Sequence, residues 1–406
     1  MSKNTKKKKW VRFRHKVVRV LACPILGTYS KIKYGFSVEK FKEKKKRQYL
    51  ILFNHQTAFD QFFVGMAFKD PVYYVASEDI FSKGFVSSLL RYLVAPIPIK
   101  KQSTDVRAVL DCMRVAKEGG NIAIAPEGNR TFSGKTEYIN KAIAPLARKL
   151  NLPILLYKIE GGYGVHPRWS DKVRRGRMHG HVSRVIEPDE YASITDDELF
   201  SIIKEGLFVN EGTLDKEFRG KRLAEGLERA FYYCPHCNLT EFHSEGNLVT
   251  CKKCSRSVEY LPTKELRGVG FDFPYRFTTE WYDAQSRYVN SIDTRVYTDE
   301  PVYAVNANLS EVIVYKRKEP IFENAKISLY GDRISVLADD GGTMLFQFSE
   351  ISAVAVLGRN KVNIYHNKRI FQIKGEKSLN AIKFVHFYYR HKNISEGNND
   401  AEFLGL

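Results

Sequence analysis

From Gln48 to about Gly161, short apolar runs alternate with amphipathic stretches. Tyr49-Leu50-Ile51-Leu52-Phe53 is a continuous apolar run ending in a polar turn, the pattern of a strand buried on both faces. Gln61 to Phe68 has helical spacing, Val72 to Ala76 is β-like, and Phe85 to Val94 reads as an apolar helix. Val106 to Lys117 is a further helix, ended by Gly119-Gly120, and Asn121 to Ala125 is a strand running into Pro126-Glu127-Gly128. Ile139 to Leu150 is helical, and Pro153 to Ile159 is a strand. Such alternation predicts an α/β domain with a mostly parallel sheet flanked by helices. In sheets of that kind, loops at the carboxyl ends of the strands build the site.

The texture changes further on. Asp197 to Ala230 is charged and reads as helical. Two Cys-x-x-Cys pairs follow, and beyond Tyr260 the chain turns to short alternating strands. Lys326 to Tyr330 and Arg333 to Ala338 flank Gly331-Asp332, and Met344 to Phe348 follows a turn at Asp339-Asp340-Gly341-Gly342. Val362 to Tyr365 and Ile370 to Ile373 flank His366-Asn367-Lys368-Arg369, and a helix from Leu379 to Arg390 closes the set. These predict a small antiparallel β-domain with a C-terminal helix, whose texture resembles a pleckstrin-homology-like module. The expected organisation is a docking segment over 1–35, the α/β domain over 36–230, a ribbon over 231–262, the β-domain over 263–395 and a tail over 396–406.

Composition adds a partner. Apolar content of 43% and aromatic content of 13% are those of a globular chain. A net charge of +19 favours an anionic partner, without choosing among nucleic acid, an anionic membrane and phosphorylated substrates. No uncharged apolar run reaches the roughly 18 residues that span a bilayer; the N-terminal candidate, Val17 to Gly27, is broken by Arg19 and Pro24. The same stretch lacks a small-residue cleavage site. After the basic run Lys6 to Lys9, a helical wheel puts Trp10, Phe13, Val17, Val20 and Leu21 on one face, with Arg12, Lys16 and Arg19 on the other. A basic helix of that kind can lie in the interface of an anionic membrane. The chain is therefore expected at the cytoplasmic face of a membrane, peripheral or monotopic.

Two polar motifs carry the chemistry. His55 and Asp60 occupy the loop after an apolar strand and the first turn of the next helix. A histidine with a carboxylate at its ring can take a proton from a hydroxyl, the carboxylate fixing the tautomer. No Ser sits in a Gly-x-Ser-x-Gly setting, so direct attack by a substrate hydroxyl is expected rather than an acyl-enzyme. In the second motif, Ala125 to Thr131, Gly128 permits a tight turn and Arg130 can grip a phosphate through its planar fork. Glu127 can orient that arginine or bind a substrate hydroxyl. Between the two, Ala95-Pro96-Ile97-Pro98-Ile99 ends in the cations Lys100 and Lys101.

From Asn54 to about Ile159 the chain resembles the glycerolipid acyltransferases that convert lysophosphatidic acid to phosphatidic acid, and the wider lysophospholipid acyltransferase family. Asn54, His55 and Asp60 match their Asn-His-x4-Asp block; Pro126, Glu127, Gly128, Asn129, Arg130 and Thr131 match Pro-Glu-Gly-Thr-Arg-Ser; Leu152-Pro153-Ile154 matches the Val-Pro strand. The Gly-x-x-Phe-x-x-Arg block is met only by Ala95, Pro98 and Lys101, and lysine cannot hold phosphate bidentately. The resemblance implies that His55 takes the proton of a lysolipid hydroxyl while Asp60 holds the imidazole. The hydroxyl then attacks the thioester of an acyl-carrier protein or coenzyme A. Arg130, helped by Lys101, Glu127 and Gly128, would hold the acceptor phosphate, and no catalytic cofactor is implied.

Cys234, Cys237, Cys251 and Cys254 follow the spacing Cys-x2-Cys-x13-Cys-x2-Cys, which suits two knuckles closing a four-thiolate zinc site. With four protein ligands no position stays open for water, so a zinc there is structural. A ribbon on so basic a chain also fits a nucleic-acid-binding protein, with Lys252, Lys253 and Arg256 beside Tyr232, Tyr233 and Phe242 around the ribbon. That reading leaves the acyltransferase blocks unexplained, so no nucleic acid is expected. A lipid-binding scaffold that keeps the fold and loses the chemistry is weighed against by the intact His55 and Asp60 pair. Within the enzyme reading the alternative is a different lysophospholipid acceptor.

Overall fold

A computed structural model describes residues 9–44, 47–82, 84–99, 105–313, 316 and 318–405. In chain order it begins with α1 (Phe13–Tyr34), β1 (Phe36–Val38), β2 (Leu50–Phe53), α2 (Asp60–Ala67), β3 (Val72–Ser77), α3 (Phe85–Leu93) and β4 (Ile97–Ile99). It continues with α4 (Val106–Lys117), β5 (Asn121–Ile124), α5 (Ile143–Leu150), β6 (Ile154–Glu160), α6 (Gly162–Val165), β7 (Met178–Ile186), α7 (Pro188–Ala192) and α8 (Asp196–Leu207). By its packing the chain forms two units that interleave along the sequence. The first comprises the residues up to Gly128 with Ile139–Glu160 and Met178–Val209; the second comprises Asn129–Tyr138, Gly161–Arg177 and everything from Asn210.

In the first unit, seven strands make one sheet in the order β1-β7-β6-β2-β5-β3-β4. All neighbours are parallel except β6 and β7, as the alternation of elements leads one to expect. The apolar run of β2 sits at the centre with every residue buried, Leu50 paired with Ile122 on one side and Ile154 on the other. Leu50, Leu52 and Leu156 form a core with Val115 of α4, Ala144 and Ala147 of α5 and Leu199 and Ile203 of α8. Each large aliphatic side chain so buried contributes about 1.5–3 kcal/mol. Asn54 extends the β2–β6 ladder with its side chain: Nδ2 donates to the Ile159 carbonyl at 2.8 Å, and the Ile159 N–H donates to Oδ1 at 2.7 Å.

The N-terminal helix differs from its wheel. It starts at Phe13, and Trp10 lies outside it, its Nε1 donating to the Ala95 carbonyl at 2.8 Å. Trp10 therefore packs against the core, leaving Phe13, Val17, Val20, Leu21, Ile25, Tyr29 and Ile32 as exposed large hydrophobic positions of α1. No helix among the described residues is long and apolar enough to cross a membrane. Of the lysine run, Lys6 to Lys8 fall outside the described residues.

The second unit continues with β8 (Tyr233–Cys234), β9 (Asn238–Leu239), β10 (Phe242–Glu245), β11 (Leu248–Cys251), β12 (Ser257–Tyr260), β13 (Leu266–Gly268) and α9 (Thr278–Ser291). Then come β14 (Tyr303–Val312), β15 (Lys318–Leu329), β16 (Arg333–Leu337), β17 (Thr343–Gln347), β18 (Ile351–Leu357), β19 (Lys361–His366), β20 (Arg369–Gly375) and α10 (Ala381–Ser395). The hairpin β8–β9 and the sheet β10-β11-β12-β13 precede an all-antiparallel sheet in the order β17-β16-β15-β14-β20-β19-β18. The cysteine-bearing segment and the large sheet share one core, in which Phe231 stacks on Trp281 at 4.0 Å. The helix expected from Asp197 to Ala230 ends at Leu207, and only the short 3-10 turn Leu227–Arg229 follows. Positive φ at Arg222 (66°) and Gly226 (95°) is incompatible with a right-handed helix there. The loop before β7 wraps the Phe218 ring closely: a Cβ on Gly164 or Gly176 would fall 2.3 Å from ring atoms.

Replacing Asn54 with alanine removes both side-chain ladder bonds and strands a buried N–H and C=O. The loss of stability expected is about 2–4 kcal/mol, read as a lowered midpoint of denaturant unfolding.

Candidate active site

Asp60 is the first residue of α2, where the helix's free N–H groups favour a negative charge. It is fully buried and meets only donors. The Gln56 N–H donates to Oδ2 at 2.6 Å, the Thr57 N–H reaches both oxygens at 2.9 and 3.0 Å, and Thr57 Oγ1 donates to Oδ1 at 2.6 Å. His55 Nδ1 lies 2.8 Å from Oδ2. A carboxylate set among donors accepts from the imidazole as well, so Nδ1 carries the ring proton and Nε2 is the basic nitrogen. The His55 side chain is 24% exposed while Asp60 is at 0%, so the base meets the surface and its orienting partner stays dry.

Glu127 comes to the same place from the end of β5. Its Oε1 accepts the His55 backbone N–H at 2.7 Å, and its side chain is buried. It thus fixes the backbone from which the base projects. Gly128 closes the turn with φ 69°, its N–H bonded to the Ala125 carbonyl at 3.0 Å. That is the left-handed conformation glycine adopts without strain. The structure therefore brings His55, Asp60, Glu127 and Gly128 together in the first unit. Arg130, two residues beyond Gly128, belongs to the second unit, and Lys101 lies outside the described residues. Thr57 carries three of the bonds that hold Asp60, although it sits at a variable position of the motif. Its signal is the Thr-x-x-Asp spacing at a helix start, which resembles a capping arrangement.

In the second unit the four Sγ atoms of Cys234, Cys237, Cys251 and Cys254 lie within 4.8 Å of one another, and Cys234 and Cys254 are 3.9 Å apart. Tetrahedral zinc–thiolate bonds of about 2.3 Å imply sulfur separations of about 3.8 Å. The donor set therefore fits a metal of that kind. A residue of positive φ follows each pair directly, Asn238 at 61° and Ser255 at 59°, turning the chain so that both knuckles face inward. His236 and His243 are not part of the cluster. Tyr232 and Phe242 are buried in the shared core, where neither ring can stack on a base.

Residues 36–157 match the family model described as Acyltransferase, a span that holds His55, Asp60, Glu127, Gly128 and Arg130. That span thus matches an acyltransferase domain, and its motifs resemble those of the glycerolipid acyltransferases. Among solved structures it is similar to the 1-acyl-sn-glycerophosphate (LPA) acyltransferase PlsC from Thermotoga maritima. Identity is 21%, the match covers 48% of this chain and 80% of that one, and the TM-score is 0.41. A search of curated proteins gives no match.

Proposed function

We propose that the protein transfers a fatty acyl group from a thioester donor, acyl-carrier protein or acyl-coenzyme A, to the free hydroxyl of 1-acylglycerol-3-phosphate, yielding phosphatidic acid. The observation that carries this is His55 Nδ1 against the buried Asp60 carboxylate, inside the matched domain. His55 Nε2 takes the hydroxyl proton as the oxygen attacks the thioester carbonyl. Asp60 stabilises the imidazolium that forms. The tetrahedral intermediate expels the thiolate, and the proton held on His55 passes to it. Glu127 keeps His55 in register throughout. Arg130 and Lys101 bind the acceptor phosphate on this reading, roles that rest on the order of the sequence blocks.

A lipid substrate requires the protein to meet a bilayer. The exposed apolar residues of α1 are joined by Phe85, Val86, Leu89 and Tyr92 of α3. The Arg14 side chain links the two helices, donating from Nε to the Tyr92 carbonyl at 2.9 Å with its guanidinium 3.9 Å over the Tyr92 ring. Phe13 and Phe85 are each 80% exposed, and Arg12, Lys16 and Arg91 lie on the same segments. We read this surface as the docking face for an anionic membrane. The four cysteines would hold a structural zinc, which supplies folding energy and no open coordination position.

With purified protein, lysophosphatidic acid and acyl thioesters, product forms, and His55→Ala lowers kcat by about 10²–10⁴-fold with an unaltered melting curve. Asp60→Asn lowers kcat as much and also lowers the melting midpoint. Full activity in His55→Ala would sink the mechanism, and preference for a phosphocholine or phosphoethanolamine lysolipid would redirect the acceptor. Atomic emission analysis is expected to find about one zinc per chain, lost in Cys251→Ser while the wild type keeps it through dialysis. In sedimentation with phosphatidylglycerol-containing vesicles the protein should pellet at low salt, and Phe13→Ser with Phe85→Ser should leave most of it in the supernatant. Equal pelleting of that double variant would remove α1 and α3 as the docking face.

A further inference from the structure

The segment 129–138, which carries Arg130, is fastened within its unit by side chains distant in sequence. Arg168 is the chief of them. It is 2% exposed, and its fork is spent on carbonyl oxygens: Nη1 donates to the Arg130 carbonyl at 2.6 Å, Nε to the Gly358 carbonyl at 2.7 Å and Nη2 to the Val356 carbonyl at 3.1 Å. Nη2 also lies 3.3 Å from Asn129 Oδ1, and the guanidinium stands 4.2 Å over the Phe132 ring. The charge of Glu137 favours that of the guanidinium. Further along, the Tyr163 hydroxyl donates to the Phe132 carbonyl at 3.1 Å, the Thr278 hydroxyl to the Ser133 carbonyl at 3.1 Å, and Lys135 pairs with Asp283 at 2.6 Å.

A buried guanidinium gives up its hydration, and its hydrogen bonds must make that good. Two of its bonds and one ring contact converge on Asn129, Arg130 and Phe132, and two bonds anchor it on β18 and the turn after it. We infer that Arg168 is a positioning residue for the acceptor-phosphate site, locking the backbone of Arg130 so that its side chain leaves the loop in one direction. This rests on the reading of Arg130 as the phosphate-holding residue. Val356 and Gly358 are the fixed points from which Arg168 holds that loop. The two cations stand close enough for Arg130 to disfavour the charge on Arg168, and burial acts in the same direction more strongly.

The test is steady-state kinetics on the full chain with lysophosphatidic acid as the varied substrate. Arg168→Lys keeps a positive charge but cannot span three carbonyls. It is expected to raise KM for the acceptor about ten-fold with kcat within about two-fold. Arg130→Ala raises KM as well, and adding Arg168→Lys to it produces no further rise, because a lock has nothing left to aim. Phe132→Leu, which removes only the ring beneath the guanidinium, gives a smaller KM rise of the same kind if Arg168→Lys proves unable to fold. An unaltered KM in Arg168→Lys or in a folded Phe132→Leu, or full additivity with Arg130→Ala, overturns the inference while leaving Arg130 as the phosphate residue. An unaltered KM in Arg130→Ala overturns the reading of Arg130 and this inference with it.

Discussion

The arrangement of the site follows from the burial of one carboxylate. Asp60 has no exposure to solvent, so every hydration bond it gave up on folding must be replaced, and the replacements come from Gln56, Thr57 and His55. That requirement curls residues 55–60 around the first turn of α2 and leaves the imidazole with a single orientation. Two further constraints secure the curl. Asn54 continues the β2–β6 ladder with its side chain, and Glu127 holds the His55 N–H from the end of β5. Three neighbouring strands therefore converge on one histidine.

Much of this was legible in the sequence, where a feature depends on residues close in the chain. The central strands announce themselves because burial on both faces demands an unbroken apolar run, and α4 is read to its last residue because a glycine pair ends it. The His-x4-Asp pair and the four-cysteine spacing were readable for the same reason. β7 was not: its outward positions carry His179, His181 and Ser183, and its partner β6 is antiparallel within an otherwise parallel sheet. The union of the cysteine segment with the large sheet was equally hidden, since it depends on Trp281 and Phe384 far downstream. Arg168 left no signal at all. Its partners are carbonyl oxygens, which every residue possesses.

Arg168 is not alone in its unit. Lys383 of α10 is buried with its Nζ 3.3 Å from the Thr240 carbonyl and 4.3 Å over the Tyr303 ring, and burial pulls its pKa down to about 8. One turn on, His386 is buried between the hydroxyls of Tyr232 and Tyr282, at 2.6 and 3.2 Å. Burial holds its pKa down to about 3, so it remains neutral in any ordinary buffer. Thr240 in turn has its hydroxyl 3.4 Å from Cys251 Sγ, which ties α10 to the edge of the four-thiolate cluster. Polar groups of this kind do little for net stability, yet each admits one geometry only, and together they join small elements that have little apolar surface of their own.

The interleaving of the two units bears on how the chain is made. β1 has its partner in Met178–Gly180, and β2 takes one neighbour from Asn121–Ile124 and another from Ile154–Tyr157. An emerging polypeptide therefore cannot finish its first sheet until residues near Ile186 have left the ribosome. By then it has already exported segments 129–138 and 161–177, whose packing partners are still to be translated. Pairings so distant are slow to form and leave strand edges bare meanwhile. The nascent chain thus spends a long interval as a target for chaperones, and truncated products ending between the two halves would be prone to aggregate.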